Sequence, residues 1–388
     1  MASEQARFRK SADFGRWRWT SVADRYPGSG SDMHWCTAAA DGSIYFVDDD
    51  GENFGRKWNF AHLLRAKGIP PDFTLEEVTD FPEILRPETP GAFAEGPRGL
   101  KCRRYVDGAL CVDDRLYVAV YDYDDFVPGF DDTFGFVDRI SPHGGVVRLI
   151  YSDDNGATFH NVPGPDVGPD QYFLGPRFAG LSFIGFGPGY RAVPPDLDGF
   201  VYGISNDVNW ETGDHVFLAR APRDRVLDRQ AWQFWNGHGE GAFEQSPSWT
   251  ADEHASRPIL RDPGRIGHPT MCYVPGIERF LLTYSTDSTP HTFNTDPAEW
   301  QRSWLKRTEL MVLEAPRPWG PWRLVHHDPA WEIPHTAYLP QVPTPWLDPD
   351  GLGGWMVFSG DYTRGSLPNS YYGFMTRRFR FERLEPAT

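Results

Sequence analysis

Short hydrophobic strands that end on acidic or amide residues recur five times along the chain. Each strand follows a tight turn such as Asp-Gly or Pro-Gly, combines aromatic with aliphatic residues, and stops at Asp or Asn. The five strands occupy residues 44–47, 116–120, 200–204, 280–284 and 355–358, a spacing of roughly 70 to 85 residues. Repeats of this size are typical of antiparallel sheets arranged around an axis. The pattern therefore predicts an all-β fold, a five-bladed β-propeller.

The blades of a propeller need one another to close the ring, so we expect a single domain over all 388 residues. The predicted blades lie at about 31–85, 99–163, 171–240, 255–325 and 335–385, after an N-terminal arm of residues 1–30. Residues 16–22 and 372–381 both alternate in the manner of strands. We expect one terminal strand to pair with the other, which closes the ring and removes an exposed edge. Helical spacing at 59–67 predicts one short helix in the first blade.

Charge and composition narrow the choice of partners. The net charge is −16, and the sequence shows no basic patch that could bind phosphates. Nucleic acid is therefore not an expected partner. Aromatic residues make up 15% of the chain, and their faces suit stacking on sugar rings as well as packing. No apolar run is long enough to span a bilayer, and residues 1–7 lack the apolar core of a secretory signal. We expect a monomer that contacts a polysaccharide or oligosaccharide, and a chain that looks cytoplasmic as written.

The cysteines and the short motifs predict neither a metal nor a cofactor. The four residues Cys36, Cys102, Cys111 and Cys272 form no Cys-x-x-Cys pair. Three of them lie in predicted inner strands, and buried free thiols are the expected state, with a Cys102–Cys111 disulfide as a minor alternative. The sequence also lacks a P-loop, a dinucleotide-binding glycine motif and a zinc-protease motif.

One local motif has a structural interpretation. Residues 152–159 read Ser-x-Asp-x-Gly-x-Thr-Phe, the Asp-box turn of propeller hairpins. We expect Asp154 to cap the turn, Gly156 to adopt the left-handed conformation, and Phe159 to pack beneath it. The acids of this turn are therefore not candidates for catalysis.

Two acidic positions stand out where the first inner strand meets its neighbour. Asp32 precedes the small residues 36–40, and the returning strand ends at Asp48, Asp49 and Asp50. An antiparallel hairpin brings these ends to one mouth of the channel, and alternation puts Asp48 and Asp50 on the same face. Hydrolysis of a glycosidic bond needs one protonated and one ionised carboxyl group in one cleft. We therefore predict Asp32 and Asp50 as catalytic residues, with turn capping or ion pairing as the alternative.

Other polar and aromatic residues near strand ends are predicted to face the same opening. Their charged and amide groups suit sugar hydroxyls or carboxylates, and tryptophan rings suit stacking. Surface ion pairs and core packing are the alternative roles at these positions. The predicted substrate-binding residues are His34, Trp35, Trp58, Lys101, Arg103, Asp122, Asp207, Trp210, His268 and Asp361.

Three segments, residues 32–51, 276–284 and 309–322, resemble a known bacterial family. The last contains the string Glu-Ala-Pro-Arg-Pro-Trp-Gly-Pro-Trp. Together they are similar to the family of domain of unknown function 4185, part of which forms glycoside hydrolase family 183, the endo-D-arabinanases. The resemblance covers nearly the whole chain and implies a five-bladed propeller that cleaves α-linked D-arabinofuranose in mycobacterial arabinogalactan and lipoarabinomannan. It places the active-site aspartates at Asp32 and Asp50. The family's usual Thr-Trp-Ala-Asp-Asp-Gly is altered here, and the tryptophan is displaced to Trp35.

The leading hypothesis is thus a glycoside hydrolase that acts on a furanoside-containing or related polysaccharide. A polysaccharide lyase is the second hypothesis, with a histidine or tyrosine as base and Lys101 or Arg103 to neutralise a uronate. A propeller that binds glycans without cleaving them is the third. Because propellers support many functions, fold alone does not choose among the three.

Overall fold

The protein is an all-β molecule. The computed structural model describes residues 7–49, 51–55, 61–80, 94–95, 101–123, 145–161, 172–178, 180–207, 213–237, 248–287, 308–332, 336–361 and 372–385. No α-helix occurs among these residues, and short 3-10 turns join some of the strands. The turns are Pro176–Phe178, Pro188–Tyr190, Arg223–Arg225, Arg229–Ala231, Glu253–Ala255, Pro275–Ile277 and Thr344–Trp346.

The strands are numbered in chain order. The first twelve are β1 Phe14–Trp19, β2 Asp24–Arg25, β3 Trp35–Ala38, β4 Ile44–Asp48, β5 His62–Ile69, β6 Asp72–Asp80, β7 Ala94–Glu95, β8 Lys101–Val112, β9 Arg115–Tyr123, β10 Gly145–Ser152, β11 His160–Asn161 and β12 Ser182–Phe183. The others are β13 Phe200–Asn206, β14 Gly213–Pro222, β15 Gln233–Trp235, β16 Trp249–Thr250, β17 Leu260–Val274, β18 Arg279–Asp287, β19 Thr308–Ala315, β20 Arg323–Trp331, β21 Thr336–Gln341, β22 Gly353–Asp361 and β23 Phe374–Arg383.

The strands form antiparallel sheets in which sequence neighbours pair. One sheet has the order β3-β4-β5-β6 and a second β11-β10-β9-β8-β7. A third has the order β12-β13-β14-β17-β18-β19-β20, with β15 and β16 attached to β14, and a fourth β1-β23-β22-β21, with β2 attached to β23. Five strands lie against one another across the sheets: β3 contacts β8, β8 contacts β12, β12 contacts β17, β17 contacts β21, and β21 contacts β3. We call these five the inner strands.

The terminal strands pair as the sequence predicted. Strand β1 runs antiparallel to β23, and Phe14 lies opposite Arg383. The N-terminal segment also reaches the edge of β20, because the amide of Ser11 donates to the carbonyl of Leu324 and the amide of Leu324 donates to the carbonyl of Arg9. The first residues of the described chain therefore cover exposed edges of two neighbouring groups of strands.

The sequence predicted separate third and fourth blades, but these strands are hydrogen-bonded into one sheet. Strand β17 is fifteen residues long and contains Pro263 and Gly264, where Gly264 has a φ of 66°. Its first half pairs with β14, with Leu260 opposite Val216, and its second half pairs with β18. A single bent strand thus serves both groups.

The prediction of a helix at 59–67 is wrong. Residues 62–69 form strand β5, which pairs with β4 on one side and β6 on the other. Two hydrogen-bonded neighbours satisfy the whole backbone of this segment, and this outweighs its helical spacing.

The Asp-box turn has the predicted geometry. The amide of Thr158 donates to Asp154 at 2.8 Å, and Gly156 has a φ of 86°. Hydrogen bonds from Thr158 and Ser152 lower the pKa of Asp154 to about 2, and Phe159 packs against the core. Of the cysteines, Cys36, Cys111 and Cys272 are free thiols, and burial raises the pKa of each.

Candidate functional site

The site end of the molecule is the end at which the inner strands β3, β8 and β21 begin. Antiparallel pairing brings the ends of their neighbours to the same place: β4 ends at Asp48, β9 at Tyr123 and β22 at Asp361. Side-chain contacts described below join these sheets to one another at this end. Polar groups from several sheets therefore meet around one position.

A close approach of two loops places the acidic residues of the first hairpin. Gly51 pairs with Ser31 as an isolated bridge, with a φ of 146°. A Cβ at position 51 would lie 2.2 Å from the carbonyl oxygen of Gly30 and 2.5 Å from the Cα of Ser31. Only glycine permits this distance. The loop that carries Asp32 and the loop that follows β4 are consequently fixed against each other.

Asp32 lies between the first and last sheets. Its side chain is nearly buried, with 9% of the residue exposed. The hydroxyl of Tyr338 donates to Oδ2 of Asp32 at 2.8 Å, and the amide of Asp49 donates to its carbonyl oxygen at 2.9 Å. Asp32 is thus held both by its backbone and by its carboxylate.

Asp49 is the described acidic residue whose backbone contacts Asp32. The hydroxyl of Tyr121, from β9, lies 3.3 Å from Oδ2 of Asp49, and the ring of Tyr121 stacks on Tyr105 at 5.6 Å. This contact ties the first sheet to the second. The sequence favoured Asp50 as the partner of Asp32; Asp50 lies outside the described residues, and its role stays a prediction.

Asp48 takes part in a buried polar network beneath the site. It accepts a hydrogen bond from the hydroxyl of Ser31 at 2.6 Å, and its Oδ1 lies 3.0 Å from Nδ1 of His34. The side-chain amide of Asn53 donates to the hydroxyl of Ser31 at 2.8 Å. His34 and Asp48 are fully buried. His34 therefore offers its ring to this network, which is a structural role, and its prediction as a substrate-binding residue gains no support from its position.

His62 anchors the other side of this network. Its Nε2 lies 3.1 Å from the carbonyl oxygen of Gly51, and its Nδ1 lies 3.0 Å from Oε1 of Glu77. Burial tends to lower the pKa of His62, but the hydrogen bond to Glu77 and the charges of Asp48 and Glu77 raise it above the ordinary value. The ring of His62 thus joins the loop of Gly51 to β6.

Irregular backbone conformations cluster on the inner strands at this end. Met33, His268 and Leu339 are non-glycine residues with φ of 57°, 48° and 51°. The pairing register shifts next to His268 in β17 and next to Leu339 in β21, and a further shift lies between Val106 and Ala109 in β8. Bulges of this kind redirect side chains and are common beside active sites.

His268 was predicted to touch substrate, and the bulge places it next to Tyr338. The two ring centroids are 5.9 Å apart. Both ring nitrogens of His268 are buried without a hydrogen-bond partner among the described residues. Burial lowers the pKa of His268 to about 3, so the ring is neutral at ordinary pH. A neutral ring offers one donor and one acceptor to a ligand hydroxyl.

The chain carries a further buried acid on β8. Asp107 is 2% exposed and lies at the bulge between Val106 and Ala109. Burial raises its pKa well above the ordinary value, although the amides of Gly108 and Leu181 donate to it. Asp107 links β8 to the segment before β12, and its burial favours the protonated carboxyl group.

The remaining predicted residues divide into four groups. Trp35 is 2% exposed and packs in the core with Val106, which is the packing alternative that the sequence left open. Asp207 accepts from the backbone amides of Asp214 and His215, and its Oδ2 lies 2.7 Å from Nδ1 of His215, so its carboxylate is bound to the start of β14. Lys101, Arg103, Asp122 and Asp361 lie near the site-end termini of β8, β9 and β22 by strand position, whereas Trp58 and Trp210 lie outside the described residues.

The sequence did not single out Tyr121, Tyr338 or Asp107. Tyr338 is separated from Asp32 by almost the whole chain, and the sequence pattern places its strand only within the last blade. A Tyr followed by Leu-Pro at the start of an inner strand is the signal that could have indicated a bulge.

Neither a metal site nor a membrane helix is evident in the described part of the chain. No group of three or more His, Cys, Asp or Glu side chains there is arranged to hold an ion. No helix there is long and apolar enough to cross a membrane.

The molecule is thus an all-β protein with a tyrosine-braced acidic site where its inner strands begin. It belongs to the family of the Domain of unknown function (DUF4185), whose model matches residues 108–352. The match includes His268 and Tyr338 and begins after the hairpin of Asp32.

Two solved structures align with most of this chain at low identity. The GH43_1 enzyme from Xanthomonas citri is 13% identical with a TM-score of 0.50, and the alignment covers 95% of this chain and 92% of that one. The α-L-arabinofuranosidase from Podospora anserina, solved with cellotriose, is 9% identical with a TM-score of 0.43, over 98% and 99% of the two chains. No curated protein matches the sequence.

Proposed function

We propose that this protein is a glycoside hydrolase on a closed five-bladed propeller, and that Asp32 is one of its catalytic carboxylates. The observation that carries the proposal is the position of Asp32. It lies where the inner strands begin, its carboxylate accepts from Tyr338, and its backbone accepts from Asp49. The contacts among the five inner strands and the pairing of β1 with β23 support the closed ring.

Glycosidic cleavage needs a second carboxyl group. One group protonates the leaving oxygen, and the other activates water or attacks the anomeric carbon. We propose Asp50 for this role, because it adjoins Asp49 and Gly51, which both contact the segment of Asp32. A separation of about 5–5.5 Å between the two carboxyl groups would give retention, and about 6.5–9.5 Å would give inversion.

The rest of the site would position a sugar. His268 supports this proposal because its neutral ring has hydrogen-bonding capacity that the described residues do not use. Lys101, Arg103, Asp122 and Asp361 are proposed hydroxyl contacts from their strand positions. Residues 32–51, 276–284 and 309–322 resemble a family that includes the endo-D-arabinanases, which makes a D-arabinofuranoside polymer the proposed substrate.

The test is hydrolysis of a panel of polysaccharides, read by the masses of the products. The panel contains mycobacterial arabinogalactan, plant L-arabinan and xylan, together with a uronate polymer. We expect saturated oligosaccharides from arabinogalactan, and a loss of about 10²–10⁴-fold in kcat for Asp32→Asn and for Asp50→Asn. Asp154→Asn, which changes the Asp-box turn, serves as the control and should retain activity.

Two other results would replace the proposal. Unsaturated products that absorb in the ultraviolet would establish a lyase. Binding of a glycan without any product would establish a binding protein. Full activity of Asp32→Asn would remove Asp32 from the mechanism.

A further inference from the structure

A hydrogen bond between distant parts of the chain determines the surroundings of Asp32. The hydroxyl of Tyr338, on β21, donates to Oδ2 of Asp32 at 2.8 Å across 306 residues of sequence. A hydroxyl that donates to a carboxylate stabilises the ionised form over the protonated form. The bond therefore favours a negative charge on Asp32.

The backbone next to Tyr338 is locked in an unusual conformation. Leu339 has a φ of 51°, and the register between β21 and β22 shifts between Tyr338 and Gln341. The carbonyl oxygen of Pro340 accepts from the hydroxyls of Thr270 at 2.7 Å and Thr283 at 2.6 Å. These two threonines belong to β17 and β18. The bulge that aims Tyr338 at Asp32 is thus fixed by the neighbouring strands.

Strain of this kind carries a functional implication. A bulky residue with positive φ is strained, so it persists only where other contacts compensate. Met33, which follows Asp32, has a φ of 57°, and its amide donates to the hydroxyl of Ser359 at 2.9 Å. Unusual backbone conformations therefore lie next to both partners of the Asp32–Tyr338 hydrogen bond. This indicates that the geometry of the bond is fixed by the surrounding structure.

Two other titratable groups of the described residues lie near Asp32 or Tyr338. In the loop after β4, the backbone amide of Asp49 donates to the carbonyl oxygen of Asp32. The carboxylate of Asp49 contacts the hydroxyl of Tyr121 on β9. From β17, His268 is neutral and lies beside the ring of Tyr338. A neighbouring acid opposes ionisation of Asp32, and a neutral histidine adds no charge. The Tyr338 hydroxyl acts against the effect of the neighbouring acid.

We propose that Tyr338 is a positioning residue that keeps Asp32 ionised and thereby makes Asp32 the base or nucleophile, which leaves the proton-donor role to its partner carboxyl group. This inference rests on the proposed function. It assigns roles within the carboxylate pair, and it makes β21 part of the catalytic apparatus of the first hairpin.

The experiment compares Tyr338→Phe with Tyr284→Phe. Tyr284 is a fully buried tyrosine whose hydroxyl donates to Asp262 at 2.9 Å, so its variant removes the same kind of bond elsewhere. In Tyr338→Phe the acidic limb of the pH profile of kcat/KM should move to higher pH by about one to two units, because a hydrogen bond to a charged group contributes about 1.5–3 kcal/mol. Tyr284→Phe should leave the limb unchanged, although both variants lose thermal stability.

A second measurement does not depend on activity. Carbon-13 NMR of the aspartate carboxyl groups follows the ionisation of Asp32 directly, with Asp32→Asn used to assign the signal. We expect the midpoint of Asp32 to rise in Tyr338→Phe and not in Tyr284→Phe. An unchanged midpoint in Tyr338→Phe overturns the inference even if Asp32 is catalytic. A raised midpoint in a protein that cleaves none of the polysaccharides sustains the hydrogen-bond effect and removes the proposed function instead.

Discussion

At the scale of single residues, Gly51 has the strictest requirement in the candidate site. Its α-carbon lies so close to Gly30 and Ser31 that a methyl group would overlap their backbone atoms. No side-chain rotation relieves such an overlap, because the neighbouring atoms belong to the main chain. The distance between the two acidic loops therefore depends on the absence of one methyl group.

Gly51→Ala should consequently disturb the site far more than an ordinary loop substitution. Gly42→Ala is the matched control, since Gly42 has a φ of 85° and no atom within 4 Å of the position that a methyl group would take. We expect Gly42→Ala to cost about 1 kcal/mol from backbone strain alone and to keep its activity. Gly51→Ala should cost more and lose most of its hydrolysis, as measured by urea unfolding and product release. Equal effects of the two variants would contradict the role assigned to the contact.

The sequence indicated residues that belong to a recognisable local pattern. It did not indicate residues whose contacts are with distant parts of the chain. Asp32 was predicted as a site residue because it shortly precedes an inner strand, and Asp154 was assigned a structural role because its turn motif is sharp. Tyr338 was missed because its importance arises from a bulge and from a partner at the other end of the chain. Trp35 illustrates the reverse case: a tryptophan near a strand start suggests either stacking or packing, and only burial distinguishes them.

At the scale of elements, β1 forms an aromatic seam between β20 and β23. The ring of Trp17 stacks on Phe379 at 4.3 Å and on His326 at 5.5 Å, in nearly parallel planes. Burial lowers the pKa of His326 to about 4; Asp328 opposes the shift and His327 adds to it. The seam is packed around a neutral histidine. Strand pairing at the two termini was predictable from alternation, but the stacked rings between them were not, because alternation does not specify partners.

The seam should weaken as the pH falls. In the unfolded chain His326 binds a proton below the ordinary histidine pKa of about 6.5, whereas in the folded protein it does so only below about pH 4. The unfolded state is therefore favoured increasingly as the pH falls from 6.5 to 4, and stability declines across this window. His326→Phe keeps a ring on Trp17 and should reduce this decline, measured by urea unfolding between pH 7 and pH 4. His160→Phe is the control, because His160 is exposed beside Tyr151. A decline that is the same in His326→Phe and the wild type would contradict this account.

At the scale of the whole molecule, Arg7 anchors the N-terminal segment to strands β17 and β19 of the third sheet. Its guanidinium lies 2.6 Å from Glu309 and 3.3 Å from Asp262. Burial tends to raise the pKa of Glu309, but hydrogen bonds from His327 and Arg7 lower it to about 2. The stability contributed by Glu309 is present above pH 4.5 and is lost as the pH falls towards 2.

Arg7→Met should therefore leave two largely buried carboxylates with less compensation. We expect a loss of about 2–3 kcal/mol in the free energy of unfolding, near the lower end for a broken buried pair because Arg265 and His327 still contact Glu309. Arg16→Met removes an exposed ion pair with Glu382 from the same segment and should have a much smaller effect on stability. Similar losses in the two variants would show that the Arg7 contacts contribute no more than surface pairs.

The pairing of β1 with β23 has a consequence for how the protein is made. Strand β1 leaves the ribosome long before its partner β23 does. During translation Phe14 and Trp17 therefore lack this partner strand until β23 has been made. Messages cut short before residue 374 would release chains that keep this hydrophobic end uncovered, which is the kind of surface that chaperones and proteases recognise.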